Sequence, residues 1–412
     1  MKVTVKFIFP LSFPEGGGGT AMLLQTAKGL VSAGVDVEVL IPRSTEREGT
    51  TLNTQLSGVY HGVGFRYLTG SLLRPKTLFG RYLNFLNGFS RLHSYLGLLK
   101  KTDPKSVIVV KGPLDGITLL LYAITAKLRG LKSFYNFDDY PDYLLFPGKF
   151  APLQKMLTEK LAFGLFDGFI VISSALKNYT IEITGKPKQV YLLPMTVDPS
   201  RFEQIPEDIV TPDEYILYTG FDFNPGPVFS SKDGLLDLIS VFAEVARDRP
   251  KLKLVIIGEN NALYHEHTKQ LGIVQKVVFL GRRGRQEIIV YQRNAKILVL
   301  PRPWSKQAEG GFSSKLGEYL LTGKPVLMTD VGDPALYLNH GVNAVFAVPG
   351  DTKDLAAKLK WILANDNEAF KIGGAGREVA LTRFNHHIEG KKLASWLHGQ
   401  LSAEDCSPIT LE

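Results

Sequence analysis

The stretch 311–326, GFSSKLGEYLLTGKPV, carries the densest set of side chains able to do chemistry. Gly311 and Phe312 lead into a turn where Ser313 and Ser314 are good openers of a helix, and Lys315 follows them. The first amides of a helix have no partner within it, and the helix dipole favours an anion at that end. Glu318 stands one turn further in and can accept hydrogen bonds from ribose hydroxyls while the amides hold phosphate. The chemistry implied is recognition of a nucleoside diphosphate. An isolated Ser-x-x-x-Glu would mean a capped helix with a surface glutamate. The long, glycine-bearing loop PRPWSKQAEGG after a buried strand favours the binding reading.

Lys232, in TGFDFNPGPVFSSKDG, lies between a strand and a helix and offers a point cation to a departing pyrophosphate, or is a solvated helix-start lysine. Gly16, Gly17, Gly18 and Gly19 follow the first strand, where glycine lets the backbone approach a ligand or simply makes a flexible turn. Their spacing is not GxGxxG, and Ile41-Pro42-Arg43 stands where a dinucleotide site needs an acid, so an NAD-type site is disfavoured. Asp138 and Asp139, in YNFDDYPDY, end a strand and are candidates to contact an acceptor hydroxyl. Asp before Tyr-Pro is also ordinary turn chemistry, and Asp142 is the weaker candidate. The 8 histidines form no HExxH-type pair: His386 and His387 are adjacent, and His265 and His267 diverge on a helix, so no structural metal is expected. The single cysteine, Cys406, allows neither an internal disulfide nor a thiolate metal site and fits a reducing compartment.

The elements that must position these residues repeat one theme. Short runs rich in Val, Ile and Leu, at 3–9, 35–41, 107–111, 132–137, 168–172 and 189–194, alternate with amphipathic helices such as 21–33. Such runs, buried on both faces, mean a doubly wound parallel sheet. The pattern restarts at 215–219 and continues through 253–257, 276–280, 296–300, 325–328 and 344–346, with a helix over 234–246 that has Asp233 as its expected N-cap. The acidic, weakly periodic stretch 202–215 marks the boundary. The chain of 412 residues therefore divides into an α/β domain over 1–204 and a second over 205–384, with a last helix, about 385–412, as a candidate to pack back on the first. Open α/β sheets bind ligands at their strand carboxyl ends, so a cleft between two such sheets is the expected site.

The net charge of +8 is concentrated. From Gly49 to Thr102 there is no acid, while Arg66, Arg74, Lys76, Arg81, Arg91, Lys100 and Lys101 supply seven positive charges. Phe79, Tyr82, Phe85, Phe89 and several leucines interleave with them. Two readings follow: a helix pair covering the first sheet, or a basic, apolar face in the 66–101 segment for an anionic membrane or a lipid-linked acceptor. It carries no nucleic-acid reading motif. The amino terminus reads as a first strand rather than a secretory signal, and no apolar run reaches the ~18 residues that span a bilayer, so a cytoplasmic location, with peripheral membrane attachment through the basic segment, is expected.

Taken in order, the Gly16–Gly19 loop, FDGFIVISSALKNY, LLPMTVDPSRF, YTGF followed by KDG, LVIIGEN, VVFLG and LPRPWSKQAEGGFSSKLGEYLLTGKPVLMTDVG resemble the retaining family-4 glycosyltransferases (glycosyl transferases group 1) of the GT-B fold. The resemblance covers most of the chain. It implies two Rossmann-like domains, an acceptor-binding one and a donor-binding one, and transfer of a sugar from a nucleotide-sugar donor to a glycan or lipid-linked acceptor, with retention and without a metal. It implies that Lys232 neutralises the donor diphosphate and that Glu318 is the second glutamate of an E-x7-E motif, on the ribose. The strict position of the first glutamate holds Gly310, and Glu309 stands one residue away. The arginine expected soon after Gly220 is replaced by Phe221, Asp222 and Phe223. The other readings kept open are a non-transferase enzyme of this fold, such as a nucleotide-sugar 2-epimerase, and a catalytically weak subunit that binds a partner.

Overall fold

A computed structural model of the chain describes residues 3–145, 148–203, 206, 208–220, 233–258 and 260–402. Two compact units emerge, Met1–Thr196 with His386–Glu412, and Val197–Asn385.

The first unit is built on β1 (Thr4–Ile8), β2 (Asp36–Ile41), β3 (Ser57–Tyr60), β4 (Val63–Tyr67), β5 (Val107–Lys111), β6 (Lys132–Phe137), β7 (Gly168–Val171) and β8 (Val190–Leu192). They lie in the order β3-β4-β2-β1-β5-β6-β7-β8, parallel except for the β3/β4 pair. Every residue of β5 is buried, as a strand covered on both faces requires. The polar side chains that open the helices do so by capping: Thr77 accepts from Gly80 N at the start of Leu78–Thr102, and Asp115 from Thr118 N at the start of Gly116–Leu128.

The closing helix His386–Ser402 packs on the first helix, Gly18–Ser32. Glycines set that contact: a Cβ on Gly390 would run into the backbone of Gly29, and one on Gly29 into the carbonyl of His386. Leu393 and Leu397 are thereby buried with Leu23, Leu30 and Phe7, each worth about 1.5–3 kcal/mol of transfer energy.

The second unit holds β9 (Tyr215–Gly220), β10 (Lys253–Gly258), β11 (Val277–Gly281), β12 (Ile297–Leu300), β13 (Val326–Thr329) and β14 (Val345–Ala347). Their order, β11-β10-β9-β12-β13-β14, is all parallel and is the Rossmann order, with the reversal between β9 and β12. Its core joins the helix Leu235–Val245 to the helix Thr352–Ala364 through Leu238, Phe242, Leu359 and Ile362.

Two expectations need correction. The acid-free segment is not a helix pair: it forms the β3/β4 hairpin and one long helix, Leu78–Thr102. Asp233 is not an N-cap. Gly234 takes that position with φ +70°, and the Asp233 carboxylate is buried in ion pairs instead.

Candidate functional site

The switch point of the second sheet is where the loops after β9 and β12 leave. Lys232 and Phe221–Phe223 lie outside the described residues. The loop after β12 runs from Pro301 into a short helix, Lys306–Gly310, capped by the Ser305 hydroxyl, which accepts from Ala308 N at 3.0 Å. Gly311 then leads to the helix Ser314–Leu321. Ser313 occupies its N-cap position with no side-chain cap, and Ser314 is exposed. Both hydroxyls therefore stay available beside the opening amides. Phe312 does not: its ring is buried edge-on against Tyr337 and Phe384, at centroid distances of 5.8 and 5.6 Å, so only its backbone can meet a ligand.

Glu318 is held from two sides. Arg201 Nη1 donates to one carboxylate oxygen at 2.7 Å and Gln292 Nε2 to the other at 3.2 Å. Both Arg201 and Glu318 keep 25% of their side-chain surface exposed, and each carboxylate oxygen retains a second lone pair for a hydroxyl donor. Glu309 is half-buried and makes no side-chain hydrogen bond or ion pair among the described residues. Trp304 stands exposed on the same loop.

Behind the helix lies a charged core. Lys315 pairs with Asp233, the Tyr218 hydroxyl donates to the same carboxylate oxygen at 2.8 Å, and Arg302 Nε is 3.5 Å from the other oxygen. Burial alone would raise the Asp233 pKa. The charges of Lys315 and Arg302, with the Lys315 and Tyr218 hydrogen bonds, outweigh burial and hold it below the usual aspartate value. Lys315 also lies 4.8 Å from the Tyr218 ring centre. Gly220, at φ +133°, leaves room for it, since a Cβ there would collide with the Lys315 ammonium. The Tyr319 hydroxyl accepts from Thr219 N at 2.8 Å, tying the helix to the end of β9, and burial pushes its pKa up.

In the first unit Gly17 is the N-cap of Gly18–Ser32, and a Cβ on Gly17 or Gly18 would meet open space. Gly16 has no such freedom, because its Cβ would strike the Thr20 hydroxyl, while Gly19 is near Leu11. Asp138 is the counter-ion of the buried Lys111, at 2.7 Å, and Lys111 also donates to Asn136 at 2.8 Å. Asp139 is exposed and does have a partner.

Arg201, Gln292, Asp233 and Arg302 were not foreseen as site residues. A signal existed for Arg201 alone, in the motif LLPMTVDPSRF.

Two Rossmann-like α/β units, the second with an anion-ready helix start at its switch point, define the GT-B class of glycosyltransferase folds. Residues 227–379 match the family model of glycosyl transferases group 1, and the fold is GT-B. It is 26% identical over 156 residues to a 2-deoxystreptamine N-acetyl-D-glucosaminyltransferase of Niallia circulans, which covers 37% of this chain and 39% of that one. The match thus spans well under two thirds of that relative. Among solved structures, sucrose-phosphate synthase from Thermosynechococcus elongatus superposes with a TM-score of 0.72 at 17% identity, covering 98% of this chain and 100% of the other. Anabaena HepE in complex with UDP gives 0.68 at 16% identity, covering 97% and 100%.

Proposed function

We propose that this chain is a retaining glycosyltransferase that binds a nucleotide-sugar donor on the second unit and a glycan or lipid-linked acceptor on the first. One observation carries the reading: Glu318, within the family-matched segment, is clamped by Arg201 and Gln292 one turn into the helix that opens at the switch point. A carboxylate fixed there receives the ribose while the helix start receives the diphosphate. The solved HepE complex, of the same fold, contains UDP, which makes a uridine donor the first to try.

Charge develops on the departing diphosphate in the transition state, so donors already in place there lower the barrier most. Lys232 and the amides near Ser313 and Ser314 take that role, with no metal assigned to it. Glu309 faces the task of the missing first glutamate, contact with the donor sugar. The basic 66–101 segment is assigned to the acceptor side, at the cytoplasmic membrane face; among the described residues no helix is long and apolar enough to cross a membrane.

The test is a melting-temperature panel of UDP-, GDP-, ADP- and CMP-linked sugars, since a ligand that binds only the folded state raises the melting temperature. One nucleotide family is expected to stabilise the protein. A flat response to all four would refute the reading. A second reading, a catalytically weak binding subunit, is favoured by Lys315 being committed to Asp233 and by the phenylalanines at the expected arginine position. Sugar transfer separates the two.

A further inference from the structure

The first sheet has its own switch point, between β1 and β5, and a cavity of about 520 Å³ opens there. Its wall is formed by residues that follow β1, β2 and β5, at the strand carboxyl ends where open α/β sheets take ligands, together with Arg74 and Pro75 from the loop after β4 and the start of the helix Leu78–Thr102. That volume suits a small polar molecule.

Three arginines line it: Arg43, Arg74 and Arg81. The single carboxylate in the wall, Asp115, is already spent, accepting from the Thr118 amide at 3.0 Å and the Thr118 hydroxyl at 2.7 Å. Nearby Glu46 is spent as well, on Asn53 and the Leu52 amide, both at 2.7 Å. Among the described residues none of the three guanidinium groups has a carboxylate partner. Arg43 lies 5.3 Å from the Phe85 ring centre and donates to Thr118 Oγ1 at 3.2 Å, but its Nε is buried with no acceptor. Arg81 uses Nε on the Pro75 carbonyl at 3.0 Å. Arg74 makes no side-chain hydrogen bond among the described residues. Partial burial and repulsion from Arg81, Arg47 and Arg43 hold its pKa below the ordinary arginine value.

Like charges gathered without a counter-ion cost stability, and such a cluster is sustained where a ligand anion offsets the cost. Guanidinium groups match phosphate oxygens in pairs, and Tyr82 and Phe85 beside them supply flat apolar walls. We propose that this cavity seats a phosphate group carried by the acceptor, with Arg74 and Arg81 as its principal cations and the half-buried Arg43 as the anchor. As an anion site the assignment stands by itself; as an acceptor site it rests on the glycosyltransferase reading above. The phosphate belongs either to a soluble sugar phosphate or to a lipid headgroup. Leu78, Phe79 and Leu83, exposed on the same helix, are the residues that would meet acyl chains in the second case.

The test uses the full chain and three probes: glucose 6-phosphate by calorimetry, flotation with phosphatidylcholine–phosphatidylglycerol vesicles, and UDP as a separate reading of the second unit. Arg74→Gln/Arg81→Gln is expected to weaken glucose 6-phosphate binding about tenfold or more, the loss of charged hydrogen bonds. Both side chains are exposed and their mutual repulsion is relieved, so the melting temperature should not fall. Lys127→Gln, an exposed cation at the far end of the helix Gly116–Leu128 and outside the cavity wall, should leave phosphate affinity unchanged. Loss of vesicle flotation in the double variant assigns the phosphate to a lipid headgroup; retained flotation with lost glucose 6-phosphate binding assigns it to a soluble sugar. The proposal is overturned if neither probe depends on Arg74 and Arg81, or if Lys127→Gln weakens binding as much. Failure of UDP to bind, with phosphate binding intact, would count against the donor reading and not against this one.

Discussion

Lys315 is ion-paired to Asp233, and Gly220 is the residue that makes space for the pair. The lysine expected to meet a diphosphate is therefore neutralised in part by a buried carboxylate, which leaves Lys232, next to Asp233 in sequence, as the cation to which the sequence assigns the leaving group.

Removing the carboxylate should be costly. Asp233→Ala leaves Lys315 and Arg302 without their shared counter-charge, and breaking a buried pair from one side costs about 3–5 kcal/mol. Asp233→Asn should cost less, because it can still accept from the Tyr218 hydroxyl. Urea denaturation measures both, and an unchanged midpoint for Asp233→Ala would contradict the role given to the pair.

The same carboxylate sets an acid limit. Its folded pKa is depressed, so its contribution is complete above the ordinary aspartate pKa of about 3.9 and is lost as pH falls through the lower folded value. Denaturation repeated at falling pH should show wild type losing stability below about pH 4, with a visibly shallower loss in Asp233→Ala. Parallel curves would assign the acid sensitivity to other groups.

The contact between the first and last helices predicts a steric effect with no chemistry in it. Gly390→Leu forces a side chain into the Gly29 backbone, and overpacking of this kind costs about 1–3 kcal/mol. Gly399→Leu, on the same helix with open space around it, is the matched control. Equal melting temperatures for the two variants would refute the close approach.

Two substitutions separate the catalytic assignments. Lys232→Ala should cut turnover by roughly 10²-fold, as removal of one transition-state charge donor does. Glu309→Gln should weaken binding of a UDP-sugar while leaving UDP affinity unchanged, since UDP lacks the group that Glu309 is assigned to contact. A UDP affinity that falls equally would move Glu309 from the sugar to the nucleotide.

The parallel strands were legible because buried runs of Val, Ile and Leu announce themselves locally; β5 and β6 have the bounds that the apolar pattern implies. The β3/β4 hairpin was not. Its two-residue turn is His61–Gly62, with φ of 50° and 79°, where sequence rules look for Asn-Gly or Asp-Gly, and β3 is an edge strand with no fully buried residue. Asp233 was misjudged because Asp ahead of Gly-Leu-Leu has the local form of a cap, while its real partner, Lys315, lies 82 residues away. Arg201 and Glu318 are 117 residues apart, and no local periodicity carries such a pairing. Residue types at the helix start, and the motif that contains Arg201, could be recognised from sequence; the pairing of Arg201 and Gln292 with Glu318 could not.

The most direct measurement is UDP affinity by calorimetry in wild type and in Glu318→Gln. If ribose hydroxyls bond to this carboxylate, the variant loses a hydrogen bond to a charged group, and affinity should fall about tenfold or more. Equal affinity in the two proteins would place the nucleotide elsewhere and contradict the account.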